Sequence, residues 1–192
     1  MVDGRTVRST ATKAKLLEAA REEFQQNGLA GGRVDAIADA AETNKRMIYA
    51  YFGSKNEPFD EVVADNVRRV AAAVEFTPND LPGYAVRLYD FWTTDTTSLR
   101  LFSWRNVERT STPDFEDATY RQMIDALEAT GVQRAAGIPA SHLLAFVFAL
   151  VLAWAIPAPA FAEPADATPE HRHNSIAIAI RKLVSGPMDP DQ

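Results

Sequence analysis

The chain has 192 residues, 46% of them hydrophobic and 24% charged, the balance of a folded protein rather than of a disordered tail or a fibre. The absence of cysteine excludes a disulfide framework, iron–sulfur ligation, thiolate catalysis and any Cys-containing zinc site, and it fits a reducing cytoplasmic location. The net charge of −6 argues against bulk coating of nucleic acid, but residues 1–55 carry +2 and residues 56–192 carry −8, so a mildly basic head precedes an acidic body.

Apolar positions recur at helical spacing almost everywhere and alternating strand patterns are missing, so the pattern predicts an all-α chain of about nine helices. Met1–Thr10 reads as a loose polar start. Arg5 and Arg8, with Lys13 and Lys15 beyond, make a basic arm that either follows a DNA backbone or minor groove or stays disordered. A first helix is predicted over Ala11–Asn27, with Leu16, Leu17, Ala20 and Phe24 on one stripe and Gly28 as its C-cap. A second, short helix buries Val34, Ile37, Ala38 and Ala41. After a turn at Glu42 and Thr43, Asn44 caps a third helix that buries Ile48 and Phe52 and stops at Gly53.

Ser54 and Glu57 form an S-x-x-E capping box that opens a long fourth helix running to about Val74. Further helices are predicted over Pro82–Thr94, Ser98–Arg109, Pro113–Ala136, Ser141–Ile156 and Pro169–Val184. Asp80, Thr112 and Thr168 stand as caps, with Pro113 and Pro169 suited to a first helical position. The Pro- and Asp-rich end, Gly186–Gln192, reads as loose. Leu143–Ala162 carries no formal charge and is long enough to cross a bilayer of about 30 Å. Pro157 and Pro159 interrupt it and no Lys/Arg cluster flanks it, which favours a buried helix and no membrane partner.

Two short helices joined by a tight turn and braced by a longer one are the helix-turn-helix arrangement, whose second helix enters the DNA major groove. With Ile48 and Phe52 inward, the third helix turns Lys45, Arg46, Met47, Tyr49 and Tyr51 to or near the outside. Lys and Arg donate to guanine edges or phosphates, Met touches a thymine methyl, and tyrosyl hydroxyls reach phosphate oxygens. Lys55 follows at the start of the fourth helix, where free amides also attract phosphate. A solvated basic face is the competing reading, but a helix this short beside two aromatic rings favours an anionic, grooved partner.

These residues resemble the TetR family of transcriptional regulators. The resemblance covers Ala11–Val63 and is carried by A-E-T-N-K-R-M-I-Y-A-Y-F-G-S-K from Ala41 to Lys55, with V-x-A-I-A upstream from Val34 to Ala38. It implies a helix-turn-helix domain over 1–55 and a helical regulatory and dimerisation domain over 56–192. Lys45, Arg46, Met47, Tyr49, Tyr51 and Lys55 then occupy operator-contacting positions, with Asn44 opening the helix and Arg33 beside a phosphate. The implied function is a repressor that binds palindromic double-stranded operator DNA as a homodimer and leaves it when a small, largely apolar effector binds. The alternative is an architectural DNA-binding protein that senses nothing. No cofactor is implied. The chain departs from the family pattern in Gly32–Arg33, where hydroxyl residues usually cap the second helix, in Asp35, where a basic residue is frequent, and in Glu42, which replaces a turn glycine at a cost of roughly 1 kcal/mol if its φ is positive.

The body offers two further sets of candidates. Trp92, Trp104, Tyr120 and Met123 belong to an aromatic concentration that either lines an effector cavity or simply fills the core. Arg105 and Glu108 read as charges facing that cavity or as an ordinary surface pair. Phe146, Leu150 and Trp154 lie on a helix apolar on nearly every side, and Ile176, Ile180 and Leu183 form a stripe on the last helix; the resemblance implies that both helices pair with their copies. Catalysis is not expected. Ser141 and His142 are adjacent and diverge on a helix, as do His171 and His173, which make neither a nucleophile–base pair nor a metal pair.

Overall fold

The computed structural model describes residues 4–108, 114–157, 161 and 168–185. Thr112, Pro113, Pro159 and the tail from Gly186, which carry predicted caps, breaks and ends, lie outside the described residues, as do the side chains of Arg5 and Arg8. The described helices are α1 Gly4–Gly31, α2 Val34–Ala40, α3 Lys45–Phe52, α4 Asn56–Ala73, α5 Leu81–Thr94, α6 Thr96–Glu108, α7 Asp114–Thr130, α8 Val132–Ala136, α9 Ala140–Ala155 and α10 Pro169–Val184. Among the described residues the fold is therefore all-α, as the periodicity predicts.

Three boundaries differ from the sequence reading, the first being the end of α1, which resumes after a kink at the predicted C-cap Gly28 and runs to Gly31. Residues Gly4–Thr10 are helical and extend α1, so the basic stretch is not a loose arm. Lys13 pairs with Glu61 at 2.8 Å and its ammonium lies 5.4 Å from the Phe52 ring centroid, while Lys15 stands 3.9 Å from Glu42. The helix predicted over Pro113–Ala136 splits at Gly131, whose φ of 75° ends α7 and starts α8.

The chain forms two compact units. The first comprises residues 1–69 and 97–113, and the second residues 70–96 and 114–192. The first unit thus extends past residue 55 and takes in α6 as well as α1–α3 and most of α4. Its core gathers Leu16, Ala20 and Phe24 of α1, Ile37 and Ala38 of α2, Ile48 and Phe52 of α3, Phe59, Val62 and Val63 of α4, and Leu101 of α6. Leu16, Ala20 and Phe24 recur every four residues, so one face of α1 supplies all three. Phe24 meets Phe59 edge to face at 5.2 Å. Arg21, almost fully buried, ties α1 to α4 through Asp65, and the buried Asn66 side-chain amide donates to the Ser98 carbonyl at 3.1 Å, tying α4 to α6.

In the second unit α10 packs on α5 and α9, and α7 packs on α9. Leu88, Leu127, Leu143, Val147, Val151, Ile176 and Ile180 are buried there. Asp80 caps α5 by accepting from the Gly83 amide at 3.0 Å, and Thr168 caps α10 by accepting from the His171 amide at 3.3 Å. His173 on α10 hydrogen-bonds Asp90 on α5 at 2.6 Å and packs against the Tyr89 ring. No helix among the described residues is long and apolar enough to cross a membrane. The uncharged stretch from Leu143 instead forms most of α9.

Candidate nucleic-acid interface

The geometry of α3 follows from its two ends and its inner face. Asn44, in extended conformation, accepts the Met47 amide on its side chain at 3.2 Å and so satisfies one of the donors that a helix start leaves open. At the other end Gly53 takes φ 76°, and its amide closes on the Tyr49 carbonyl. Ile48 and Phe52, one helical turn apart, are seated in the core at 1% and 4% exposure. The opposite face therefore has to present Lys45, Arg46 and Tyr49 outward, and all three are exposed.

The turn that sets this helix against α2 contains Glu42 at φ 52°, so the residue replacing the usual glycine does adopt the strained left-handed conformation. As the missing hydroxyls imply, α2 has no side-chain cap. The Arg33 amide donates instead to the Glu23 carboxylate of α1 at 2.9 Å, leaving the Arg33 side chain exposed. Asp35, in the first turn of α2, reaches across to Lys45 with N–O distances of 3.0 and 3.2 Å. The hydrogen bond to Asp35, followed by the carboxylate's charge, holds the Lys45 ammonium above the usual lysine range.

The remaining predicted contact residues are engaged within the chain. Met47 and Tyr51 are half-buried against the core cluster, and the Tyr51 hydroxyl donates to Ser9 at 3.2 Å. Lys55 donates to the Ala30 carbonyl at 3.3 Å. Both members of the Ser54–Glu57 box accept a backbone amide, although the Ser54 hydroxyl serves Asn56 rather than Glu57. Glu23, Ser9 and Glu108 are not legible as partners in the sequence, because each acts on a backbone or hydroxyl group distant along the chain.

The body candidates separate. Trp92 is buried and, like Tyr120, contacts the Phe148 ring, with centroids at 6.1 and 5.9 Å; Met123 lies half-buried on α7, one turn beyond Tyr120. Burial, with a smaller contribution from Tyr120, pushes the Tyr84 phenol well above its ordinary value, so it stays a neutral donor. Trp104 instead packs in the first unit beside Gly28, Arg105 is buried, and Glu108 binds backbone amides of α1 rather than pairing on the surface. Of the candidate interface residues, Phe146 is 47% exposed and Leu150, Trp154 and Leu183 are half-exposed. Ile176 and Ile180 face the core of their own unit and have no surface to give a partner, whereas Ile178, which the stripe pattern misses, is 48% exposed.

A short helix capped at both ends, held by its apolar side against a core and offering cations outward, defines a helix-turn-helix DNA-binding protein with an additional helical body. Residues 16–62 match the family described as bacterial regulatory proteins of the tetR family, and residues 80–182 match the tetracyclin repressor-like C-terminal domain. The chain belongs to the TetR family of transcriptional regulators. It is 34% identical over 185 residues to the HTH-type transcriptional repressor SCO4008 of Streptomyces coelicolor, covering 91% of this chain and 95% of that protein. Over 59 residues, 31% of this chain and 28% of the relative, it is 41% identical to the HTH-type transcriptional repressor NicS of Pseudomonas putida. The crystal structure of SCO4942 from Streptomyces coelicolor superposes with a TM-score of 0.73 at 30% identity, covering 90% of this chain and 97% of that one.

Proposed function

We propose that this chain is a cytoplasmic repressor that binds a two-fold symmetric operator as a homodimer and releases it when a small, largely apolar effector occupies the body. The observation that carries the reading is the outward face of α3, with Lys45, Arg46 and Tyr49 exposed opposite Ile48 and Phe52. Arg33 and Asn44 flank that face, and the relatives SCO4008 and NicS are both named repressors. For the dimer, the exposed side of α9 around Phe146, with Leu150, Trp154, Leu183 and Ile178, supplies the apolar surface. For the effector, the aromatic group of Trp92, Tyr120 and Phe148, with Met123 nearby, supplies the chemistry. A coupling of about 1–3 kcal/mol between the two sites is enough to shed DNA.

Selection from random duplexes tests this reading. The expected product is an inverted repeat whose half-sites lie about 34 Å apart, one turn of the double helix. Indifference to sequence would instead assign an architectural role. Phe146→Glu is expected to give a monomer by sedimentation and to lose the cooperative occupation of both half-sites, while its helicity persists.

Asp35 competes with phosphate for Lys45. Asp35→Asn is expected to raise operator affinity about threefold to tenfold at moderate salt and to steepen the salt dependence by roughly 0.9 per half-site, the increment of one additional neutralised phosphate. Fluorescence anisotropy across a salt series measures both.

A further inference from the structure

α6 ends on a side chain that serves a distant part of the same unit. The carboxylate of Glu108, the last residue of α6, accepts the backbone N–H of Leu29 and, at 3.2 Å, that of Ala30. These donors are available because Gly28 interrupts α1: with φ 65° and ψ −173° it breaks the ladder of hydrogen bonds, so Leu29 and Ala30 stand at the start of a new turn, whose bond back to the Gly28 carbonyl is made by the Gly32 amide at 3.0 Å.

The glycine is also required by space. A Cβ at Gly28 would lie 2.8 and 2.9 Å from the two Glu108 oxygens and 2.9 Å from the Trp104 ring. A side chain at position 28 would have to displace the carboxylate or the Trp104 ring. From the other direction the Lys55 ammonium donates to the Ala30 carbonyl at 3.3 Å, so the short segment after the kink is held between an anion on its amides and a cation on its carbonyl. Gly32 follows, with its own Cβ position only 2.7 Å from the Phe24 ring, and Arg33, in extended conformation, then leads into α2. The direction in which the chain leaves this segment is the direction in which α2, and α3 after it, are presented.

We infer that Glu108 is a positioning residue for DNA reading: its carboxylate fixes the exit of α1 and thereby the pose of α3. The inference rests on the DNA-reading role proposed above. Its sign is what makes it testable. A carboxylate in a DNA-binding unit repels phosphate, so on electrostatics alone removing its charge tightens binding. A positioning carboxylate gives the opposite result, and because it touches no phosphate its loss leaves the salt slope unchanged.

The experiment uses the full chain, the selected operator duplex, and the variants Glu108→Gln, which keeps one acceptor oxygen without charge, and Glu108→Ala, which keeps none. Neither removes a buried apolar contact. Operator affinity is expected to fall about threefold to tenfold for Glu108→Gln and more than tenfold for Glu108→Ala, at constant salt slope. In the free protein, hydrogen exchange at the Leu29 and Ala30 amides is expected to accelerate at least tenfold in Glu108→Ala. Binding equal to or tighter than that of the unsubstituted chain, a changed salt slope, or unchanged exchange at both amides overturns the inference. If the unsubstituted chain selects no duplex, the DNA-reading role itself falls, an outcome distinct from the failure of Glu108 alone.

Discussion

Reversing both cations at the start of α3, Lys45→Glu with Arg46→Glu, is expected to lower operator affinity by about a thousandfold or more, the largest functional effect of any change in the chain. On the two-fold operator proposed above, the losses add. A well-formed contact from Lys or Arg to a base edge contributes roughly 1–3 kcal/mol of discrimination, and the contacts of both protomers disappear at once. With Lys45 held by Asp35, the two Arg46 side chains are the ones that neutralise phosphates, so the slope of log affinity against log salt becomes shallower by about 1.8, at roughly 0.9 for each. The first substitution also sets a second carboxylate against Asp35, which stands 3.0 Å from the Lys45 ammonium, so two anions face the duplex where one ion pair stood. Both positions are exposed, and the fold is expected to persist by circular dichroism. Undiminished retention on the selected duplex would remove α3 from the interface.

The second large effect concerns stability. Phe24→Ala is expected to cost about 3–5 kcal/mol, the range for emptying a buried aromatic site. Phe24 is completely buried and meets Phe59 edge to face at 5.2 Å. The site has little room to collapse, because its ring is pinned on another side by the backbone at Gly32, where even a Cβ would come within 2.7 Å. Urea unfolding followed by circular dichroism measures the loss. A cost under 1 kcal/mol would mean that the α1–α4 packing does not carry the first unit.

Much of the first unit is legible in the sequence because its signals are local. Asn44 beside an apolar-periodic run, Gly53 after it, and the spacing of Ile48 and Phe52 each act within one or two turns of helix, so the inward and outward faces of α3 follow from the chain order alone. Gly28 reads as a break and is one, since only a residue without a Cβ takes φ 65° cheaply. What is not legible acts across distance or by competition. Nothing in the polar Gly4–Thr10 stretch marks it as helix, because its support comes from continuing an existing ladder rather than from an apolar face. Gly131 lies in a run that is otherwise helical in pattern, where periodicity outvotes a single glycine. Positions 176, 178 and 180 are all isoleucine, and their facing is decided by how α10 rotates against α5 and α9, which no local rule fixes. Trp104 reads as one more body aromatic, yet it belongs with Gly28, far upstream in the sequence.

The first unit is assembled from two separate stretches, 1–69 and 97–113, and this sets where it can be cut and exchanged. Leu101 completes its core and Glu108 secures its kink, so a ribosome must extend the chain past both before the module can finish folding. A fragment ending after α4 is an unfinished head, open where Leu101 belongs. Chimaeras that graft this helix-turn-helix unit onto a different helical body must carry α6 along as part of the transplanted cassette.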